Sequence, residues 1–248
     1  MRLLIVGGSG YVAGLMRPGI TEAGHQVRVL DPLPPVGAVD WVRGSATDPV
    51  ALATALDGMD AVVHAAMGMP GTDGTPDPVS AFCVLVASVF ATLAAAAQAG
   101  VGRAVLISSI SVFANDPPVT DRLLDESFEP DATDVYGLAK RFAEQVGQAA
   151  ARQHGMTVTA LRLGWPTTEA DYPAWALPGF PEPAVIRCAD GTPIPALAAS
   201  DLAAAVLAAL ERDGGGFEAV HILGDDDSGR CWSVAKAREL LGWLPRRR

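Results

Sequence analysis

The chain has 248 residues, half of them hydrophobic, and a formal net charge of −10. That length and composition suffice for one full domain with a sizeable core. So acidic a surface repels nucleic acid and anionic lipid, and the single basic run, at residues 246–248, reads as a solvated tail.

In chain order, Arg2–Val6 is an apolar run that predicts a strand buried on both faces. It is too short for a signal peptide and stops at Gly7. Gly7–Gly10 is a turn, and a helix follows to about Ala23, ended by Gly24. Pro18 lies inside that helix and removes the hydrogen bond to the carbonyl of Gly14, which predicts a kink or an early end. Strands are predicted at Gln26–Leu30, Trp41–Arg43 and Ala61–Ala65, with a short helix at Pro49–Leu56. Met67–Pro78 is a Gly/Pro loop. A long helix, Val79–Gln98, is stopped at Gly100, and Arg103–Ser108 is a fifth strand. Residues 109–133 are rich in Pro and Asp and read as irregular. Thr133 or Asp134 can cap a helix that runs to His154 and ends at Gly155. Thr157–Leu163 is a sixth strand; beyond it the rhythm breaks. A helix at Asp201–Glu211, a strand at Ala219–Leu223 and a helix at Ser233–Leu241 follow.

Alternation of strand and helix predicts an α/β fold, a doubly wound Rossmann-type parallel sheet. Residues 1–163 form its core. Residues 164–248 are read as a small substrate-binding portion interleaved with the last core elements, not an independent domain. Ligands then bind at the carboxyl ends of the strands, where strand order reverses.

Cys83, Cys188 and Cys231 match no metal site or disulfide framework, and a reducing cytoplasm fits their number. No metal is expected. The Val79–Gln98 helix has no charged residue and is long enough to span a bilayer. It is mostly Ala, with Ser80, Ser88 and Thr92 interspersed, so a helix covered by protein is the better reading. A second copy of the chain is the expected cover, giving a homodimer through helices 79–98 and 135–154 in which Phe82, Leu85, Val89 and Phe90 serve the interface or the core beneath it.

The first strand runs straight into Gly7-Gly8-Ser9-Gly10-Tyr11-Val12-Ala13-Gly14. Gly7 permits a sharp turn, Gly10 lets backbone N–H groups approach a pyrophosphate, and a small residue at 13 lets helix pack on strand. Asp31, 21 residues after Gly10, closes the second strand. A carboxylate there accepts from adenosine ribose hydroxyls and repels a 2′-phosphate, so NAD is expected over NADP. Asp48 is read either as reaching the adenine amine or as a helix cap before Pro49.

Tyr136 and Lys140 stand one helical turn apart on one face. The ammonium is expected to favour the phenolate and lower its pKa, leaving Tyr136 as proton donor or acceptor for a carbonyl or an alcohol. Ser109, at the end of the fifth strand, can steady charge on the substrate oxygen.

Taken together these residues resemble the extended short-chain dehydrogenases, the NAD-dependent epimerase/dehydratase family. The likeness includes the glycine turn, Val62–Ala66 after Asp60, Ser108–Phe113, Tyr136–Lys140, Leu161–Gly164, Ala199–Ala203 and residues 237–245. It implies that Ser109, Tyr136 and Lys140 are catalytic. It implies cofactor contacts at Gly7, Gly10, Tyr11, Val12, Asp31, Asp48, Ala65, Ala66, Tyr136 and Lys140. It also implies dimers that pair the two long helices into a four-helix bundle. The chain departs from the family at Ala13, at Pro18 and Gly19, at Phe113, where a tyrosine is usual, and in lacking an asparagine near Val86.

Only 108 residues follow Lys140, which resembles the compact members that oxidise sugar acids. The function expected is NAD-dependent interconversion of an alcohol and a ketone or aldehyde on a small polar, sugar-like or secondary-metabolite substrate. The alternatives are an epimerase or dehydratase using NAD transiently, and a non-catalytic NAD-binding scaffold. Ile110 and Ser111 beside the serine are not acidic, which counts against dehydration. Trp165, Tyr172 and Trp175 either stack on substrate or pack their own loop.

Overall fold

The computed structural model describes residues 1–67, 77–114, 123–178, 182–188, 190–224 and 231–246. Seven parallel strands form one sheet in the order β11-β6-β5-β4-β1-β2-β3. The strands are β1 (Arg2–Val6), β2 (Gln26–Asp31), β3 (Asp40–Arg43), β4 (Ala61–His64), β5 (Arg103–Ser109), β6 (Thr157–Leu163) and β11 (Gly216–Ile222). Four two-residue strands lie between β6 and β11: β7 (Pro166–Thr167), β8 (Ile186–Arg187), β9 (Pro193–Ile194) and β10 (Leu197–Ala198). β7 pairs with β10 and β8 with β9, outside the main sheet.

Successive residues of β1 point to opposite faces. Leu3 and Ile5 join a core with Met16, Ile20, Leu202 and Val206, and Leu4 and Val6 join another with Leu52, Val89 and Leu93. Helices α1 (Tyr11–Glu22), α5 (Ala199–Glu211) and α6 (Ala235–Leu241) contribute to the first core. Helices α2 (Pro49–Leu56), α3 (Pro78–Gln98) and α4 (Val135–His154) contribute to the second. Both faces are therefore covered, as an all-parallel sheet requires.

Pro18 does not end its helix: α1 continues to Glu22. Gly14 and Pro18 are both exposed, so the carbonyl freed by the proline lies on the water-facing side, where solvent can satisfy it. Gly19 has a packing reason. A Cβ there would stand 2.7 Å from the Cβ of Ala203, so the glycine lets α1 and α5 come into contact. Thus α5, from the C-terminal portion, covers the helix of the glycine turn, while β11 extends the sheet beyond β6.

The cysteine expectation is corrected. Cys188 and Cys231, 43 residues apart, form a disulfide across the C-terminal portion, and Cys83 is exposed and free. Such a lone pair forms no spacing pattern that a sequence scan detects.

Helix α3 is long and apolar enough to cross a membrane by length and composition. In the fold it connects β4 to β5 and packs along α4. Leu85, Ser88, Val89, Thr92, Leu93 and Ala96 make its buried stripe, whereas Phe90 is 65% exposed. Phe82 packs edge-on against Phe142 of α4, their ring centroids 5.8 Å apart.

Candidate active site

Strand order reverses between β1 and β4, and the segments leaving their carboxyl ends form one wall of a cavity of about 640 Å³. Gly7 has φ +76°, and a Cβ on it would fall 2.4 Å from the Cα of Ala66. Only glycine satisfies both demands. Gly10 caps α1 with no side-chain hydrogen bond, and no acidic residue occupies the first turn. Helix geometry leaves the first-turn N–H groups without intrahelical partners, and Tyr11 and Val12 line the cavity. Such a turn has the free N–H groups with which a helix start can bind a pyrophosphate.

Asp31 lines the same cavity and is held by its own turn. Ser9 N–H donates to Oδ2 at 3.1 Å and Leu33 N–H to Oδ1 at 2.9 Å. Ala65 and Ala66 also line the cavity. Asp48 is the N-cap of α2, its Oδ1 accepting from Val50 and Ala51 N–H groups. The cavity wall beside it is Ser45, Ala46 and Thr47, and Asp48 is not part of that wall.

The three catalytic candidates meet on this cavity. Ser109 Oγ accepts from Ser111 N–H at 3.1 Å and donates to Ser111 Oγ at 3.1 Å. Asp134 caps α4 by accepting from Tyr136 and Gly137 N–H groups, which fixes the first turn that carries Tyr136. Lys140 is buried and donates from Nζ to the carbonyl of Ile107 at 2.7 Å, its ammonium 5.6 Å from the centroid of the Tyr136 ring.

The expectation that Lys140 lowers the Tyr136 pKa is corrected. Burial pushes the phenol above its ordinary value, a hydrogen bond with Ser109 works in the opposite direction, and the Asp134 carboxylate adds to the rise. Lys140 directs its charge at the Ile107 carbonyl. Burial brings Lys140 itself down to about 8, against an upward pull from Glu144.

Glu144 belongs to a buried network that motif spacing does not reveal. Its Oε1 accepts from Ser108 Oγ at 2.6 Å and Arg162 Nε at 3.0 Å, and its Oε2 accepts from Arg162 Nη2 at 2.8 Å. Phe113 lies 5.3 Å from the Arg162 guanidinium, so the residue standing in for the usual tyrosine covers this ion pair. Two signals were available. Glu144 is four residues after Lys140 on one helix face, and Arg162 is the one charged residue in its strand. On the other side of Lys140, His64 Nε2 lies 2.8 Å from Ser88 Oγ, and the Ser88 hydroxyl donates to the carbonyl of Val84. The imidazole nitrogen is therefore the donor to Ser88. Burial, with the Lys140 charge, depresses His64 to about 3, so the ring is neutral.

A family model described as the NAD dependent epimerase/dehydratase family matches residues 3–222. The chain belongs to that family. The description of that family names NAD as the cofactor on which its members depend. The chain is 32% identical over 171 residues to a 2-alkyl-3-oxoalkanoate reductase of Stenotrophomonas maltophilia, covering 65% of this chain and 50% of that one. It is 30% identical over 169 residues to a 3-beta-hydroxysteroid dehydrogenase of Mycolicibacterium neoaurum, covering 65% and 46%. The chain thus spans half or less of the length of these curated relatives. Among solved structures, a short-chain dehydrogenase/reductase superfamily protein from Agrobacterium tumefaciens with bound NAD matches with TM-score 0.80 at 20% identity, covering 100% of this chain and 93% of that one. MoeE5 in complex with UDP-glucose and NAD matches with TM-score 0.78 at 21% identity, covering 100% and 94%. These likenesses establish the fold.

Proposed function

We propose that the protein is an NAD-dependent dehydrogenase or reductase that interconverts a secondary alcohol and a ketone. The observation that carries this reading is that the glycine turn, Asp31, Ser109, Tyr136 and Lys140 all line one continuous cavity. Gly7, Gly10, Tyr11 and Val12 hold the pyrophosphate, and Asp31 accepts from the adenosine ribose while repelling a 2′-phosphate. Lys140 binds the nicotinamide ribose, and Ala65 and Ala66 flank the dinucleotide. Bound NAD supplies the hydride acceptor. Ser109 donates a hydrogen bond to the substrate oxygen; Tyr136, which burial keeps protonated, gives its proton to the ketone oxygen in reduction, and in oxidation it takes the alcohol proton after first releasing its own. The two curated relatives are named as a reductase and a dehydrogenase, which supports net redox chemistry over transient use of NAD.

The decisive measurement is NADH formation or consumption across a panel of alcohols and ketones. Tyr136→Phe should abolish turnover and leave NAD affinity nearly unchanged, because it removes the proton and not the binding surface. Full activity in that variant would overturn the mechanism.

We also propose that two copies pair through α3 and α4. The exposed Phe90 and Phe142 on neighbouring helices give an apolar face for a two-fold partner. Light scattering should report a dimer, and Phe90→Arg should make it a monomer. A wild-type monomer at micromolar concentration would refute the pairing.

A further inference from the structure

Besides Ser109 and Tyr136, the cavity is bounded by a set of apolar and aromatic residues, Met67, Val84, Trp165, Pro166, Trp175 and Leu177. Among the described residues that line the cavity, the only ionic side chains are Asp31, at the adenosine end, and Lys140, already bonded to Ile107. A diphosphate or carboxylate placed against Trp165, Trp175 and Leu177 would lose its water to apolar surface, which is a severe cost.

The apolar wall is held in place. Trp175 exchanges two backbone hydrogen bonds with Ala184, each of 2.8 Å. The carbonyl of Ala176 accepts from the Tyr11 hydroxyl at 2.7 Å, which ties the wall to the first turn of α1. Trp165 has φ +46°, a left-handed conformation that is rare for a bulky side chain, and its carbonyl accepts from Leu197 N–H at 3.0 Å. Strain of this kind persists where surrounding structure enforces it, and it gathers at ligand sites.

We infer that the substrate is an uncharged alcohol or ketone with an extended apolar body, which lies against Trp165 and Trp175 while its oxygen meets Ser109 and Tyr136. This rests on the redox reading above and chooses between the substrate kinds that the sequence leaves open. The polar groups at the reacting end, Ser109 and Ser111, are hydrogen-bonded to each other and suit a single substrate oxygen.

The test is direct binding to the NAD-loaded protein, followed by tryptophan fluorescence, alongside turnover assays. The ligands are a series of 2-alkanones from 2-hexanone to 2-dodecanone, with UDP-glucose and glucuronate for comparison. Each added methylene should tighten binding about fourfold until the cavity is filled. Trp175→Ser should weaken the longest bound alkanone at least tenfold and leave NAD affinity unchanged. Affinity that does not vary with chain length, or tighter binding of UDP-glucose or glucuronate than of any alkanone, would overturn the inference. Length-dependent binding without turnover in either direction would uphold the apolar site and overturn the redox reading. Oxidation of glucuronate with no alkanone binding would uphold the redox reading and overturn the apolar site.

Discussion

Replacing Glu144 by Gln keeps the shape of the side chain and removes its charge. In the native protein that carboxylate takes two hydrogen bonds from Arg162 and one from Ser108, with both charged partners buried. Two effects compete. Glutamine can still accept through one oxygen, which retains part of the bonding. Against this, Arg162 is left as a buried cation without a counter-charge, a change that costs about 3–5 kcal/mol when a buried pair is broken. Charge compensation outweighs the residual hydrogen bond, so the expected loss is about 3 kcal/mol. For a chain of this size that lowers Tm by roughly 6–12 °C. Lys140 also loses the group that opposes its desolvation, so its pKa should fall below about 8. Thermal and urea unfolding followed by circular dichroism give the comparison. The double variant Glu144→Leu with Arg162→Met should recover more than half of the loss, because well-packed apolar groups often replace a buried pair without penalty. A single variant within about 1 kcal/mol of wild type, or a double variant less stable than the single, would refute the reasoning.

Three other outcomes are expected. Gly19→Ala gains about 1 kcal/mol of helix propensity but drives a methyl group into Ala203, so net destabilisation of about 1–2 kcal/mol should appear in urea unfolding; an unchanged midpoint would show that α1 and α5 can separate freely. His64 and His221 are both held near a pKa of about 3, chiefly by burial, so below pH 6.5 the unfolded chain binds protons that the native one does not. Stability should fall with pH by up to about 1.4 kcal/mol per unit for each histidine, and His221→Phe should roughly halve the slope measured between pH 6.5 and 5. Asp31→Asn should improve NADP binding relative to NAD by about 1.5–3 kcal/mol in calorimetric titrations, and an unaltered ratio would remove Asp31 from the discrimination.

The sheet was legible because its signals are local. Apolar runs mark β1, which Gly7 ends, and β4, and Asp134 and Gly155 bracket α4 from cap to stop. Tyr136 and Lys140 share a turn, and Ser109 ends a strand, so their meeting follows from the fold. The remainder depends on distant partners. Glu144 and Arg162 are 18 residues apart on different elements, and Cys188 reaches Cys231 across 43. Asp48 could be read two ways because a helix cap and an adenine acceptor both call for a carboxylate before a helix. Spacing places a lysine near the Tyr136 phenol but does not reveal burial or where the ammonium points. Trp165 precedes the two-residue β7 and Trp175 sits in an isolated bridge, so sequence could name them as stacking candidates but no periodic pattern could choose between substrate and loop packing. Of the Gly/Pro loop at residues 67–78, residues 68–76 fall outside the described residues.

The contact between Gly19 and Ala203 also constrains how the chain matures on the ribosome. Part of the apolar side of α1 faces α5, which is synthesised about 180 residues later, and at roughly 5–20 residues per second the delay is about 10–35 s. Over that interval α1 lacks its cover, although β1 and β4 can already pair beneath it. The nascent chain should therefore present an uncovered hydrophobic strip, a target for chaperone capture until residues 199–211 emerge.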